Sequence, residues 1–174
     1  SRFFEWPLGF FVYNFLKKRA RRALILNMEK TIITNSAAET AACGEEFGCR
    51  CVGGEIIAIS GDLGAGKTCF VQGLAKGLGL TDNVNSPTFN IMKIYGPSAS
   101  GKSLCHIDAY RLNEGKSLAG LGVDEYFGDK QTVSILEWPE KVEDILPKEV
   151  GRIIIEAISE NERRINIIFP DANN

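Results

Sequence analysis

Gly61-Asp62-Leu63-Gly64-Ala65-Gly66-Lys67-Thr68 completes the pattern G-x-x-x-x-G-K-[ST], and no other stretch of this sequence carries so definite a chemistry. Glycines at 61, 64 and 66 let the backbone turn tightly enough for its N–H groups to face a phosphate, with the positive end of a following helix adding to the attraction. Lys67 is spaced to reach the β and γ oxygens, and the Thr68 hydroxyl to ligate a magnesium ion bridging them. A plain glycine turn ahead of an ordinary helix has no need of the Lys-Thr pair. The pattern therefore predicts a nucleoside triphosphate site built from Asp62, Leu63, Gly64, Ala65, Gly66, Lys67, Thr68 and Cys69.

Such a loop needs an acid at the end of a neighbouring strand, to hold magnesium or its water and to orient the attacking nucleophile. Asp108 closes the apolar run Leu104-Cys105-His106-Ile107, and Glu137 closes Thr132-Val133-Ser134-Ile135-Leu136. Both belong at the carboxyl edge of a sheet, where open α/β folds bind ligands. Thr88 follows Pro87 in a stiffened loop, where a switch segment could offer its hydroxyl to the γ-phosphate or the metal. Trp138, beside Glu137, either covers the nucleotide or packs in the core. His106, the one histidine, has no Ser or Cys partner arrangement and reads as a structural residue.

The elements that must position these residues follow from periodicity and breakers. Glu55–Ser60 reads as a buried strand ahead of the loop, and Cys69–Leu78 has apolar residues at helical spacing behind it. Lys30–Thr34 reads as an edge strand, followed by a helix from Ala37 to Phe47 with Ser36 and Glu39 as a capping box. Ile91–Tyr95 and Leu104–Ala109 flank turn residues and predict a hairpin. Asn113–Tyr126 is short-helix and loop material, and Pro139–Leu146 suits a helix with proline at its first position. Arg152–Ile158 and Arg164–Phe169 predict a carboxyl-terminal antiparallel hairpin. Together they predict an α/β domain with a mixed, P-loop NTPase-like sheet flanked by helices.

The 174 residues suit one such domain. Residues 1–27 hold six basic and one acidic residue, leaving 14 basic and 21 acidic in the rest, a net charge near −7. An acidic body argues against broad attachment to DNA, tRNA or anionic lipid. The aromatic, basic stretch 1–27 puts its charge after the apolar run, unlike a secretory signal, and Glu5 and Pro7 interrupt it too early for a membrane span. A membrane-surface anchor is one reading; an upstream-translated or appended segment, with the domain proper as residues 28–174, is preferred. Cys43, Cys49, Cys51, Cys69 and Cys105 lack paired C-x-x-C spacing and read as reduced thiols of a cytoplasmic protein.

Five segments in order resemble one family, the TsaE (YjeE) proteins, small P-loop ATPases of bacterial tRNA threonylcarbamoyladenosine synthesis. They are Gly61–Thr68, Ser86-Pro87-Thr88-Phe89, His106-Ile107-Asp108-Ala109-Tyr110-Arg111-Leu112, Gly122-Val123-Asp124-Glu125-Tyr126-Phe127 and Glu137-Trp138-Pro139-Glu140. The resemblance covers about Thr31 to Phe169. It implies ATP and Mg2+ as ligands, Thr68 and Glu137 on the metal, Asp108 as the residue needed for hydrolysis and Thr88 in a switch. It also implies TsaB and TsaD homologues as partners, with tRNA reached through their complex. Cys69 and Asn90 stand where family members commonly have Thr, and Ala109 where a larger apolar residue is usual. Two other classes compete. A small-molecule kinase usually needs an arginine-rich lid, and here only Arg111 follows Asp108; a non-catalytic nucleotide-gated module has no need of intact Lys67, Thr68, Asp108 and Glu137. The absence of an N-K-x-D segment disfavours a GTPase.

Overall fold

Continuous apolar runs make strands buried on both faces, and those runs form the middle of this fold. The computed structural model describes residues 28–169; the stretch 1–27 read as an appendage lies outside them. In chain order the elements are β1 (Met28–Thr34), α1 (Ala37–Arg50), β2 (Ile56–Ser60), α2 (Lys67–Gly77), β3 (Met92–Tyr95), β4 (Ser103–Asp108), α3 (Gly115–Ala119), β5 (Thr132–Glu137), β6 (Gly151–Ala157) and β7 (Arg163–Phe169). One sheet of seven strands runs β1-β7-β6-β2-β5-β4-β3. Its central strands β6, β2, β5 and β4 are parallel; β7 pairs antiparallel with β6 and with the edge strand β1 on one side, and β3 pairs antiparallel with β4 on the other. Every residue of β5 is buried, as its unbroken apolar run requires.

Helices α1 and α2 cover one face. They approach so closely that a Cβ on Gly44 would lie 2.1 Å from the Phe70 carbonyl oxygen, and one on Gly73 would lie 1.9 Å from that of Ala41. Glycines in helix interiors cost about 0.5–1 kcal/mol each relative to alanine. Here that cost is exchanged for a tight helix pair that anchors α2, whose first turn carries the glycine loop. Phe47, Phe70 and Phe169 fill the space beneath, with ring centroids 6.1 and 5.5 Å from Phe47. The other face carries α3 and short 3-10 turns over Cys105, Ile107, Leu136 and Val142.

Most predicted elements stand within a few residues of their expected bounds. Ser36 caps α1 by accepting from the Glu39 N–H at 3.1 Å, while the Glu39 carboxylate accepts from Asn35 N at 2.8 Å, one residue earlier than a capping box requires. One element differs in kind. The helix expected over Pro139–Leu146 is instead two 3-10 turns, Pro139–Lys141 and Glu143–Ile145. Proline does stand at its predicted first position, but Val142 between the turns takes φ −144° and is fully buried, so packing of that β-branched side chain overrides a continuous helix. Among the described residues no helix is long and apolar enough to cross a membrane.

Candidate functional site

The loop leaves β2 at Ser60 and reaches α2 through backbone that only glycine accommodates well. Gly61 has φ 145°, and a Cβ there would meet the Ile155 carbonyl oxygen of β6 at 2.3 Å. Gly66, φ 107°, caps α2 with no side-chain bond to its free N–H groups. Apart from Ala65 N, which donates to Asp62 O at 3.1 Å, the loop turns its amides outward: those of Gly64, Gly66, Lys67 and Thr68 have no protein acceptor among the described residues. Unpaired amides at a helix N-terminus are the kind of group that suits an anionic ligand.

Lys67 is only 5% exposed. Its Nζ folds back on the loop, donating to Gly61 O at 2.6 Å and Asp62 O at 2.9 Å, and lies 4.0 Å from the centroid of the Trp138 ring. Burial lowers its pKa from the usual 10.5, opposed by the nearby charges of Glu137, Asp108, Glu140 and Asp62. A cation held on two carbonyls and an aromatic face is ready to be taken over by a stronger anion.

Glu137 ends β5 and Asp108 ends β4, at opposed positions of the parallel pair. Both are 3% exposed. Glu137 Oε1 accepts from Thr68 Oγ1 at 3.4 Å and is 2.8 Å from His106 Nε2. Its Oε2 has no donor among the described residues. A hydroxyl and a carboxylate at the foot of a phosphate cradle are the kind of partial oxygen set that magnesium takes when substrate phosphates and waters complete its shell.

Asp108 has a different neighbourhood. Oδ2 accepts from Thr88 Oγ1 at 2.5 Å and from Ser86 Oγ at 2.9 Å, while Oδ1 accepts from Tyr110 N at 3.0 Å. The two hydroxyls lie 2.6 Å apart. Asp108 N donates to Ile91 O at 2.8 Å, so one residue holds the loop 86–91 at both ends. Ile91 carries φ 63°, a costly conformation for a β-branched side chain. This explains why β3 begins at Met92, one residue later than expected.

Leu63, Gly64, Gly66, Lys67, Thr68, Cys69, Ser86, Thr88, Asp108, Tyr110, Glu137 and Trp138 line one cleft of about 390 Å3. Every predicted site residue is there except Asp62 and Ala65, whose backbone shapes the loop. Trp138 lies at the cleft, its ring 5.1 Å from that of Tyr110, at φ 61°. Sequence reasoning named Ser86 and Tyr110 only within the resembling segments, with no role of their own, and did not single out Arg163, whose Nε donates to Ala65 O at 2.9 Å. For Ser86 a signal existed, a second hydroxyl two residues before Thr88; Arg163 is nearly a hundred residues from the loop and offered none. Arg111 stacks over the Phe89 ring at 4.6 Å.

The model of one protein family, described as "Threonylcarbamoyl adenosine biosynthesis protein TsaE", matches residues 34–165, a span holding the glycine loop, Thr88 and both acids. A Bacillus subtilis (strain 168) protein named tRNA threonylcarbamoyladenosine biosynthesis protein TsaE is 44% identical over 112 residues, covering 64% of this chain and 68% of its own. A Treponema pallidum (strain Nichols) protein of the same name is 34% identical over 136 residues, covering 78% of this chain and 97% of its own. Among solved structures, the crystal structure of Bacillus subtilis YdiB aligns with a TM-score of 0.68 at 33% identity, over 80% of this chain and 84% of that one. With a family model spanning residues 34–165, relatives 34–44% identical and a solved structure of the same fold, this chain belongs to the TsaE family.

Proposed function

We propose that this protein binds ATP with magnesium in the cleft and hydrolyses it, as the ATPase component of tRNA threonylcarbamoyladenosine synthesis, acting with TsaB and TsaD homologues. The observation that carries the reading is one convergence. Unpaired loop amides, the buried ammonium of Lys67 and two strand-end carboxylates all meet at one end of the sheet. The amides of Gly64, Gly66, Lys67 and Thr68 would receive the phosphates, and Lys67 would exchange its two carbonyl acceptors for phosphate oxygens. Thr68 and Glu137 would hold a magnesium ion, which when bound supplies charge neutralisation at the β and γ oxygens.

Asp108 is the base of this reading. It would orient the attacking water and accept its proton, which requires Ser86 or Thr88 to yield a place on Oδ2. Moving Thr88 moves Phe89 beside it, a side chain 85% exposed, and so changes an outer surface that a partner can sense. The names of the relatives support the pathway assignment, and the acidic body supports reaching tRNA through partners. The test is phosphate release from ATP by the protein alone, with purified TsaB and TsaD homologues, and with EDTA. Release that needs magnesium and increases with the partners is expected. A protein that binds no ATP by calorimetry, or releases no phosphate in any of these mixtures, defeats the proposal.

A further inference from the structure

His106 is the one histidine of the sequence, and it is fully buried two residues before Asp108 on β4. Alternation along the strand puts residues 104, 106 and 108 on the face that packs against α2, because Leu104 joins the core with Phe70 and Leu74 while Cys105 and Ile107 join the opposite cluster. On the adjacent β5, Val133 and Ile135 share the α2 face, and Glu137 follows in the same alternation. The register pairs His106 with Ile135 and Asp108 with Glu137, so His106 sits one step below the sheet edge, beside the stem of Glu137. From there its Nε2 is 2.8 Å from Glu137 Oε1.

Among the described residues that contact is the only polar one the His106 side chain makes. Nδ1 is buried with no hydrogen-bond partner among the described residues. An imidazole kept only to fill core space would be replaced with profit by an apolar side chain, since each unpaired buried polar atom is a cost. The retained benefit is on the Nε2 side. An ionised carboxylate can only accept, so in this contact Nε2 carries the proton and donates. Held through Oε1 by His106 and Thr68, Glu137 keeps Oε2 without a protein donor.

We propose that His106 is a positioning residue for the metal-binding carboxylate: its Nε2–H fixes the orientation of Glu137 so that the side chain meets magnesium together with Thr68. The inference rests on the reading above, that Glu137 and Thr68 hold magnesium. It adds that the strength of metal binding is set partly from beneath the sheet edge, by a residue that touches neither metal nor nucleotide.

The two amide substitutions separate this role from packing. Glutamine places its amide near the position of Nε2 and asparagine near that of Nδ1, so His106→Gln keeps the donor to Glu137 and His106→Asn loses it. Magnesium is titrated at fixed ATP, and ATP binding is measured again in EDTA. The expected result is a half-saturating magnesium concentration raised about 10–100-fold in His106→Asn and within about threefold of the parent in His106→Gln, with metal-free ATP binding alike in all three. Equal magnesium dependence in the parent and both variants overturns the inference, and so does an equal loss in both variants that extends to metal-free binding.

A second measurement needs no variant to fold. Because the sequence holds a single histidine, nitrogen NMR of the unmodified protein reports the His106 tautomer directly. An Nε2–H form whose resonances move on adding magnesium with an ATP analogue is expected. An Nδ1–H form overturns the inference, since Nε2 could not then donate. If the unmodified protein binds ATP with no dependence on magnesium, the underlying reading of the site falls, and that outcome is distinct from a wrong tautomer.

Discussion

If Asp108 is the base proposed above, replacing it by asparagine should separate chemistry from binding. The side chain is 3% exposed and accepts three hydrogen bonds, from Ser86 Oγ at 2.9 Å, Thr88 Oγ1 at 2.5 Å and Tyr110 N at 3.0 Å. Asparagine keeps an oxygen for Tyr110 N, and the two hydroxyls can turn to accept from its amide. The bonds survive in number and lose their charge assistance, roughly half the strength of each, while the cost of burying a carboxylate disappears. We expect a net destabilisation of about 1–2 kcal/mol, lowering Tm by about 2–8 °C for a chain of this size. Losing the base should slow hydrolysis by about 10²–10⁴-fold, equivalent to about 3–5 kcal/mol of barrier. Nucleotide affinity should hold or tighten slightly, because one of the negative charges that act on Lys67 is removed from the cleft. Single-turnover phosphate release in the assembled complex, calorimetry with a non-hydrolysable analogue and a melting curve read the three effects. Hydrolysis within tenfold of the parent refutes the assignment of the base; affinity weakened more than tenfold refutes the division between binding and chemistry.

Lys67→Ala should weaken ATP binding by about 10²–10³-fold by calorimetry, the loss of one to two charge-assisted bonds, while leaving Tm unchanged or higher because a buried ammonium is gone. Gly61→Ala should cost about 2–4 kcal/mol in denaturant unfolding, since its Cβ meets Ile155 O at 2.3 Å and its φ is 145°. At Gly64 a Cβ meets nothing within 4 Å, and the same substitution should cost visibly less. Thr88→Ala should narrow the difference in partner affinity between ATP-analogue and ADP states, measured by surface binding to the TsaB–TsaD complex; an undiminished difference counts against the switch. Burial pushes the Cys105 thiol up from 9.0 to about 12, so above about pH 9 the unfolded chain loses a proton that the folded chain keeps. Stability should therefore fall as pH rises from about 9 toward 12, and Cys105→Ala should flatten that part of the curve in pH-dependent unfolding.

The glycine loop, both strand-end acids and the order of strands and helices were legible because each depends on short-range rules. Glycine tolerates positive φ, an acid closing an apolar run lies at a sheet edge, and a capping serine starts a helix wherever it stands. The carboxyl-terminal hairpin was readable for the same reason. Its place in the sheet was not, because β7 takes β1 from the other end of the chain as its second neighbour while β6 runs parallel to β2. Likewise the stretch after Pro139 satisfied every local rule for a helix and became two 3-10 turns, because the burial of Val142 belongs to a cluster assembled from α3, β4 and β5.

The site shows the same division. That Thr68, Thr88, Asp108 and Glu137 could do chemistry follows from residue type and local context. Which acid serves which neighbour was decided by register: parallel pairing of β4 with β5 puts Asp108 beside Glu137, brings His106 beneath Glu137, and leaves Asp108 to the hydroxyls of Ser86 and Thr88. A hydrogen bond spanning 31 residues, such as that between His106 and Glu137, leaves no trace in spacing, because a one-residue slip of either strand would turn one side chain to the opposite face of the sheet. The sequence by itself determined the chemistry available at the edge of this sheet. Only tertiary structure decided how it is shared out, because the partners are set by strand order and register rather than by distance along the chain.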